Sequence, residues 1–346
     1  MTPRETIRRV LAHDHPPRIG FTFTDRGAGT ALNDLARCGP TADPGSSENR
    51  REDGEGGEIW EDEWGCTWRR FADWTTRGEV VAPAISSRED LAGYQPPTLD
   101  DPSRYEHCVA VLAEQSDRYL LGSLASCCFA QARRMPTFAT YLEWCASEPE
   151  LVNEINTTVS DIVIAQVDIY GDLGFDGVMF WEDWGTQDRL LVSPSMWGRM
   201  FKWTFERLID RAHGRGMTVW MHSCGCMTDI IPPLVDLGID VFQFSQPEIH
   251  GIDFLAQYAD RTTFWCSVDV QRTMPSGDRD LIQSRAREMV DRLGRNGGFI
   301  AKNNSDPASL GVDPLWQRWA FETFLECGVF DPAEANIDAA ELCSPQ

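Results

Sequence analysis

His222 and Cys224 are the two residues whose types and spacing point most directly to chemistry. They lie two positions apart at the end of the apolar segment 218–223, whose composition is typical of a β-strand. Alternate residues of a strand share one face, so both side chains can point to the same side and share an ion. A neutral imidazole and a thiolate suit Zn²⁺. The competing interpretation is a hydrogen-bonded histidine beside a buried cysteine.

Two adjacent carboxylates, Glu182 and Asp183, follow a second apolar segment at 177–181. Tryptophans on both sides, including Trp184, would lower the local dielectric, so that one acid has a raised pKa and acts as general acid or base. Either acid could instead ligate a metal. Because neighbouring residues of a strand alternate in direction, the two side chains should point to different sides. Alternatively, Asp183 or Asp188 caps the next helix and the rest is a solvated loop.

A third polar group, Asp269, Gln271 and Arg272, follows the apolar segment 262–267. An acid, an amide and a guanidinium in close succession could hold a polar substrate. With the strand-end residues above, this group completes the predicted site. We predict catalytic roles for Glu182, Asp183 and Asp269, and substrate contacts from Trp184, Gln187, Gln246, Gln271 and Arg272.

The segments that carry these residues belong to an alternation of strands and helices that begins near residue 100. Such alternation indicates a parallel sheet, and a chain of 346 residues suits one barrel domain whose reactive groups lie at the carboxyl ends of its strands. We predict an α/β fold, a TIM-type (β/α)₈ barrel formed by residues 1–346 as a single domain. A doubly wound open sheet is the competing architecture, although no Gly-x-Gly-x-x-Gly follows any strand. Seven strands are recognisable and the eighth is not: 19–23, 119–125, 176–181, 218–223, 241–244, 262–267 and 298–302.

The N-terminal third departs from this alternation. Thr2-Pro3-Arg4-Glu5 is typical of a helix start. Segments 58–70 and 78–85 alternate like strands, which predicts a small sheet flanking the barrel. Residues 38–57, rich in Gly, Ser, Pro and charge, predict a mobile loop. Residues 331–346 are expected to form a C-terminal tail.

Composition narrows the class of partner. The net charge of -23 argues against nucleic acid and anionic membranes as partners, and the absence of long apolar runs predicts no membrane span. The N-terminus has no signal-peptide pattern, so a cytoplasmic location is expected. A chain of this size needs no disulfide staples, and most of the eleven cysteines are expected to be small buried hydrophobes. The expected partner is a small-molecule substrate.

Several motifs in order resemble the uroporphyrinogen decarboxylase superfamily, in particular its methyltransferase-like members. The similarity spans about residues 1–328, and the family fold is a (β/α)₈ barrel. The motifs are the N-terminal 2–19, Asp62-Glu63-Trp64-Gly65, the stretch 182–188 with Ser193-Pro194, His222-Ser223-Cys224-Gly225, Ile230-Ile231-Pro232 with Leu237-Gly238, Gln246-Pro247, and Asp269 with Gln271-Arg272-Thr273.

This resemblance implies a zinc site. The family's corrinoid-linked methyltransferases hold zinc with a His-x-Cys pair and a distant cysteine, and His222 and Cys224 match the pair. The distant cysteine should follow the strand at 298–302, where this chain has Asn303-Asn304-Ser305-Asp306. Cys266, at another strand end, or Glu182 could complete the ligand set instead.

The resemblance implies a methyltransferase, zinc-dependent, that moves a methyl group between a small molecule and a corrinoid or a thiol, with the corrinoid carried by a partner protein. Uroporphyrinogen decarboxylation itself is not expected, because residues 22–26 lack the arginine-rich pattern that binds the porphyrinogen carboxylates. Two alternatives stay open. One is a decarboxylase or other lyase acting on a small carboxylate, with Glu182 or Asp183 as general acid. The other is a catalytically silent relative that only binds a ligand.

Overall fold

The computed structural model describes residues 1–25, 30–42, 49–71, 78–304, 310–335 and 337. Within these ranges, nine strands form one sheet in the order β2-β1-β13-β12-β11-β10-β9-β8-β3, and four form a second sheet in the order β4-β5-β6-β7. The strands are β1 (Gly20–Asp25), β2 (Thr30–Asn33), β3 (Leu35–Cys38), β4 (Arg51–Glu52), β5 (Gly57–Glu61), β6 (Thr67–Phe71), β7 (Glu79–Ala82), β8 (Tyr119–Ser123), β9 (Gly177–Glu182), β10 (Thr218–Ser223), β11 (Val241–Phe244), β12 (Thr263–Cys266) and β13 (Phe299–Lys302).

Helices follow most strands of the large sheet and cover its outer face. None of the described helices combines the length and the apolar character needed to cross a bilayer. They are α1 (Pro3–Leu11), α2 (Arg88–Gly93), α3 (Glu106–Glu114), α4 (Phe129–Ala132), α5 (Phe138–Ser147), α6 (Pro149–Leu173), α7 (Pro194–Met200), α8 (Lys202–Gly214), α9 (Ile231–Leu237), α10 (Ile252–Leu255), α11 (Arg279–Met289) and α12 (Pro314–Gly328).

The large sheet is a nearly closed barrel, and Asp34 links its two ends. The Asp34 amide donates to the Phe21 carbonyl at 2.8 Å, and the Asp34 carbonyl accepts from the Tyr119 amide at 2.9 Å. The Asp34 carboxylate is fully buried and forms a two-point ion pair with Arg18 at 2.6 and 2.7 Å. The predicted (β/α)₈ barrel is therefore confirmed, and the open doubly wound sheet is not found.

The eighth strand, which the sequence pattern did not reveal, is β3. It pairs in parallel with β8 over the four residues from Leu35 to Cys38. A strand this short, with Arg37 near its end, gives too few apolar residues for a periodic signal. The antiparallel hairpin of β1 and β2 precedes it and adds the ninth strand.

The barrel has a filled interior that is closed at its amino end by α1. Ile7 and Val10 of that helix pack against inward-facing residues such as Met179 and Trp220. Arg4 fixes the helix to the base of β9 through an ion pair with Asp176 at 2.9 Å. The opposite end, where the parallel strands have their carboxyl ends, stays accessible and is called the mouth below.

The predicted flanking sheet is confirmed as the antiparallel sheet β4–β7. The predicted loop 38–57 overlaps two strands. Cys38 is the last residue of β3, and β4 is a strand of the small sheet. Residues 43–48 of this loop lie outside the described residues. Of the predicted tail, the structure describes only 331–335 and 337.

The expectation that the cysteines serve mainly as small buried hydrophobes holds for most of those described, but one pair is bonded. Cys38 and Cys108 form a disulfide with a Cα–Cα distance of 5.9 Å. It joins the end of β3 to the first turn of α3.

Candidate active site

Three side chains that could hold a metal converge at the mouth: Asp183, His222 and Cys224. The Cys224 Sγ lies 3.3 Å from the His222 Nε2, and this Nε2 lies 3.8 Å from the Asp183 Oδ1. All three ligand atoms lie within 4.8 Å of one another, and all three residues are half-buried. The predicted pair of His222 and Cys224 therefore shares one face, and its third neighbour is the carboxylate from the next strand.

The loops that follow β9 and β10 hold these residues by backbone contact. A Cβ on Gly225, whose φ is 77°, would lie 2.0 Å from the Gly185 carbonyl oxygen. The Cys226 amide donates to the Thr186 carbonyl at 2.7 Å. Only glycine permits this approach, since a side chain would force the two loops apart. The local sequence at both loops thus keeps Asp183 beside Cys224.

Gln243 on β11 orients the histidine. Its Oε1 is hydrogen-bonded to the Nδ1 of His222, and the strand pairing sets the two residues side by side. A proton on Nδ1 that is donated to this oxygen leaves Nε2 unprotonated and facing Cys224 and Asp183. Gln243 is therefore a positioning residue of the cluster, a role that the sequence did not indicate.

Glu182 lies on the other side of β9, as the alternation of side chains requires. Its carboxylate is fully buried and accepts hydrogen bonds from the Ser126 hydroxyl at 2.5 Å and from three backbone amides at 2.9–3.0 Å. Those amides belong to Cys127, Cys128 and Ala130. Burial raises the pKa of Glu182, while the hydrogen bonds from Ser126, Cys128 and Ala130 and the charge of Arg133 act in the opposite direction. Glu182 thus braces the loop after β8 and does not face the mouth.

Trp184 also lies in the outer core. It is fully buried and stacks on Phe129 with ring centroids 4.1 Å apart. Of the two tryptophans that flank Glu182 and Asp183, Trp181 faces the barrel interior, with the Arg37 guanidinium 5.5 Å from its ring. The structure therefore brings Trp181, and not Trp184, to the predicted substrate position.

Cys266 is separated from the cluster by the sheet. It is fully buried in the outer core, whereas its neighbour Trp265 faces the barrel interior. Burial raises the pKa of the Cys266 thiol to about 12. The structure does not bring Cys266 to His222 and Cys224, and Asp183 occupies the place expected for the third ligand.

Of the remaining predicted residues, Gln246 contacts the loop that carries the cluster. Its side chain accepts from the Gly225 amide at 3.3 Å. Asp269 is buried and accepts from the amides of Gln271 and Arg272, which braces its own turn. The side chains of Gln187, Gln271 and Arg272 are exposed.

Positive charge at the mouth comes from residues to which the sequence analysis gave no role. Arg37 and Lys302 face the interior from β3 and β13, and neither forms an ion pair within the described residues. Lys302 is half-buried, and its amine lies 3.4 Å from the Ser245 hydroxyl. Burial, together with Arg37, lowers the pKa of Lys302 to about 8, although the Cys266 and Cys224 thiols oppose this. In a chain of net charge -23, two such cations favour an anionic ligand.

Arg133 supplies a third cation, at the edge of the cluster. It donates to the Asp183 carbonyl at 3.0 Å and lies 3.7 Å from the Asp183 carboxylate. Its guanidinium also contacts the rings of Phe129 and Phe138. Arg133 therefore fixes Asp183 from the side opposite His222. Strand parity on the predicted strand 298–302 would have singled out Lys302, but Arg37 lies on the unrecognised strand β3 and Arg133 lies in a loop region without such a pattern.

The family model described as Uroporphyrinogen decarboxylase (URO-D) matches residues 71–303, more than half of the 346 residues. The chain belongs to the uroporphyrinogen decarboxylase family. The matched region includes β8 to β13 and both loops of the metal-type cluster, so the predicted family is confirmed. No curated protein matches the chain.

Two solved structures are similar to this uroporphyrinogen decarboxylase family member. A methyltransferase from Methanosarcina mazei is 13% identical over 88% of this chain and 82% of its own, with a TM-score of 0.56. A B12-independent methionine synthase from Shewanella sp. W3-18-1 is 12% identical over 64% and 65% of the two chains, with a TM-score of 0.45. At 13% identity, the similarity to the Methanosarcina mazei methyltransferase shows a shared fold.

Proposed function

We propose that this protein is a zinc-dependent methyltransferase that moves a methyl group between a small molecule and a corrinoid or a thiol. The observation that carries the proposal is the convergence of nitrogen, sulfur and carboxylate oxygen in His222, Cys224 and Asp183. Family membership and the barrel shared with a methyltransferase from Methanosarcina mazei support it.

The donor set fits zinc. Tetrahedral zinc with bonds of about 2.0–2.3 Å holds its ligand atoms roughly 3.3–3.8 Å apart. The observed separations of 3.3 Å and 3.8 Å come close to this geometry. Three protein ligands leave a fourth position open, as in catalytic zinc sites. Zinc bound there would lower the pKa of a thiol acceptor, so that the acceptor reacts as a thiolate near neutral pH.

The chain's own residues would bind and orient the acceptor. Arg37 and Lys302 would hold an anionic group on it, since neither has a carboxylate partner within the described residues. The Trp181 ring lines the barrel interior beside Arg37. The acceptor of the proposed reaction is thus a small thiol that also carries an anionic group. The methyl donor would be a corrinoid on a partner protein or a small methylated molecule.

The placement of Glu182 bears on the lyase alternative. Because Glu182 is buried against residues 126–130, Asp183 is the acid at the mouth that such a reaction would use. Asp183 already contacts the Cys224 amide and lies beside His222. This arrangement favours a ligand role for Asp183.

Methyl transfer from free methylcobalamin, as a substitute for a corrinoid protein, tests the proposal. In this reaction the thiolate sulfur gains the methyl group while the cobalt–carbon bond breaks and its electron pair stays on cobalt. We expect zinc-loaded protein to accelerate loss of methylcobalamin absorbance with 3-mercaptopropionate more than with uncharged 2-mercaptoethanol. The variant Cys224→Ser should lose at least about tenfold in rate. No acceleration by the loaded wild-type protein with any anionic thiol, together with release of carbon dioxide from a small carboxylate, would favour the lyase.

A further inference from the structure

A second cluster of metal-type side chains lies outside the mouth, at the disulfide between β3 and α3. The Nε2 of His107 lies 3.3 Å from the Cys38 Sγ and 3.8 Å from the Cys108 Sγ. The three ligand atoms lie within 4.8 Å of one another. The sulfurs are buried and His107 is exposed, so the cluster has one solvent-facing side.

We propose that reduction of the Cys38–Cys108 disulfide converts this cluster into a second metal site, which binds zinc through two thiolates and the His107 imidazole. This inference is independent of the proposed function, because it shares no residue with the mouth cluster. Two sulfurs and one nitrogen are the donors that zinc prefers, and a water from the exposed side would complete four-coordination.

The chemistry balances with a dithiol as reductant. The dithiol gives two electrons and two protons to the Cys38–Cys108 bond and becomes a cyclic disulfide itself, leaving two protein thiols. Zinc then displaces one proton from each thiol, so binding releases two protons. Thiol–disulfide exchange with a small-molecule disulfide, which takes up the two electrons and is reduced to thiols, re-forms the Cys38–Cys108 bond and releases the ion. The cluster therefore holds either a covalent bond or a metal, but not both.

The fold keeps the ligands in place for both forms. The Cα atoms of Cys38 and Cys108 are 5.9 Å apart, within the range that a disulfide needs. Two thiolates on one zinc lie roughly 3.7 Å apart, which side-chain rotation can give without moving these Cα atoms. Cys38 is held by the pairing of β3 with β8, so the backbone stays fixed when the bond opens.

The helix dipole favours a thiolate at Cys108. His107 and Cys108 lie in the first turn of the nine-residue helix α3, where the helix dipole stabilises negative charge. The overall charge of -23 draws cations to the surface. A zinc ion that reaches the exposed His107 thus meets two sulfurs within 3.8 Å of the His107 Nε2.

Zinc content measured in two redox states tests the proposal. The background is His222→Ala, which removes the histidine of the mouth cluster. The protein is either left oxidised or reduced with dithiothreitol, desalted anaerobically, incubated with zinc, desalted again and analysed for metal. We expect the reduced form to bind about one zinc per chain more than the oxidised form. A thiol titration should show two more free thiols in the reduced form.

Matched variants locate the extra ion. In the same background, Cys38→Ser and Cys108→Ser should abolish the extra zinc, and His107→Ala should weaken its binding at least about tenfold. Cys327→Ser, a half-buried cysteine on α12, should retain it, and thermal melts confirm that each variant is folded. The proposal is overturned if the reduced protein gains no zinc although both thiols are free, if the disulfide resists reduction in the folded protein, or if Cys38→Ser keeps the extra ion. Absence of zinc at the mouth would leave these results unaffected.

Discussion

The amide oxygen of Gln243 is hydrogen-bonded to the Nδ1 of His222 across the pairing of β10 with β11, and this contact fixes which imidazole nitrogen faces Cys224. Such a partner holds the ring of a metal-binding histidine in one orientation and sets its tautomer. Gln243 does not touch the proposed metal, but through this contact it should affect the affinity of the site for the metal.

Replacing Gln243 should therefore weaken metal binding without removing a ligand. We expect Gln243→Leu to lower zinc affinity about 10–100-fold, whereas Gln243→Glu should retain it because the carboxylate also accepts from Nδ1. Competition with a chromophoric chelator measures both affinities. Equal affinities for wild type and Gln243→Leu would show that the contact does not orient the histidine.

Variants at Glu182 and Asp183 should have different effects, one on protein stability and the other on metal affinity. Glu182→Gln places an amide group among four donors, so we expect it to lower the free energy of unfolding by about 2–4 kcal/mol. Asp183→Asn, at the accessible mouth, should melt near the wild-type temperature and lose metal affinity. Chemical denaturation and zinc analysis of both variants check this contrast. If Glu182→Gln is as stable as wild type and loses metal instead, the roles of the two acids are reversed.

Gly225 should be intolerant of a side chain. Gly225→Ala adds a Cβ 2.0 Å from the Gly185 carbonyl at a positive φ, so the loop must move and carry Cys224 with it. We expect lower stability together with weaker zinc binding. The control is Gly198→Ala on α7, where nothing lies within 4 Å of the new Cβ and stability should stay equal or rise by up to about 1 kcal/mol. If Gly225→Ala has the stability and the zinc affinity of wild type, the proposed packing of the two loops is wrong.

Binding of an anionic ligand should depend on pH through Lys302. The folded-state pKa of this amine is lowered to about 8, so its positive charge is present below that pH and lost above it. We expect 3-(methylthio)propionate, the methylated form of the proposed acceptor, to bind more weakly at pH 9 than at pH 7 by calorimetry. The ligand's carboxylate stays ionised throughout this range.

Two lysine variants supply the comparison for that experiment. Lys302→Met should bind weakly at both pH values and lose the pH dependence. Lys202→Met, which removes the exposed partner of Glu206 on α8, should behave as wild type. A pH profile that survives in Lys302→Met would assign the titration to another group.

The sequence predicts where the strands end, but a position at a strand end does not by itself give the direction of the side chain. The alternation on β10 correctly set His222 and Cys224 on one face. The same alternation on β12 sets Trp265 inward and Cys266 outward, so Cys266 is on the wrong side for a third ligand. A rule based on strand ends alone cannot distinguish these cases.

Other parts of the site depend on structure that local patterns do not encode. The eighth strand is four residues long, so Arg37 could not be recognised as an inward-facing residue. The approach of Asp183 to Cys224 depends on backbone contact between two loops that are 40 residues apart in sequence. The close contact between the glycines at 185 and 225 is a tertiary feature that neither local sequence encodes.

Zinc content of the oxidised protein tests the central claim most directly. Protein prepared without chelator and kept oxidised, so that Cys38 and Cys108 stay bonded, should carry about one zinc per chain. We predict that His222→Ala and Cys224→Ser lose this zinc, while Cys266→Ser retains it. A wild-type protein that binds no zinc even after incubation with the ion, or a Cys224→Ser variant that binds it as tightly as wild type, would contradict the account.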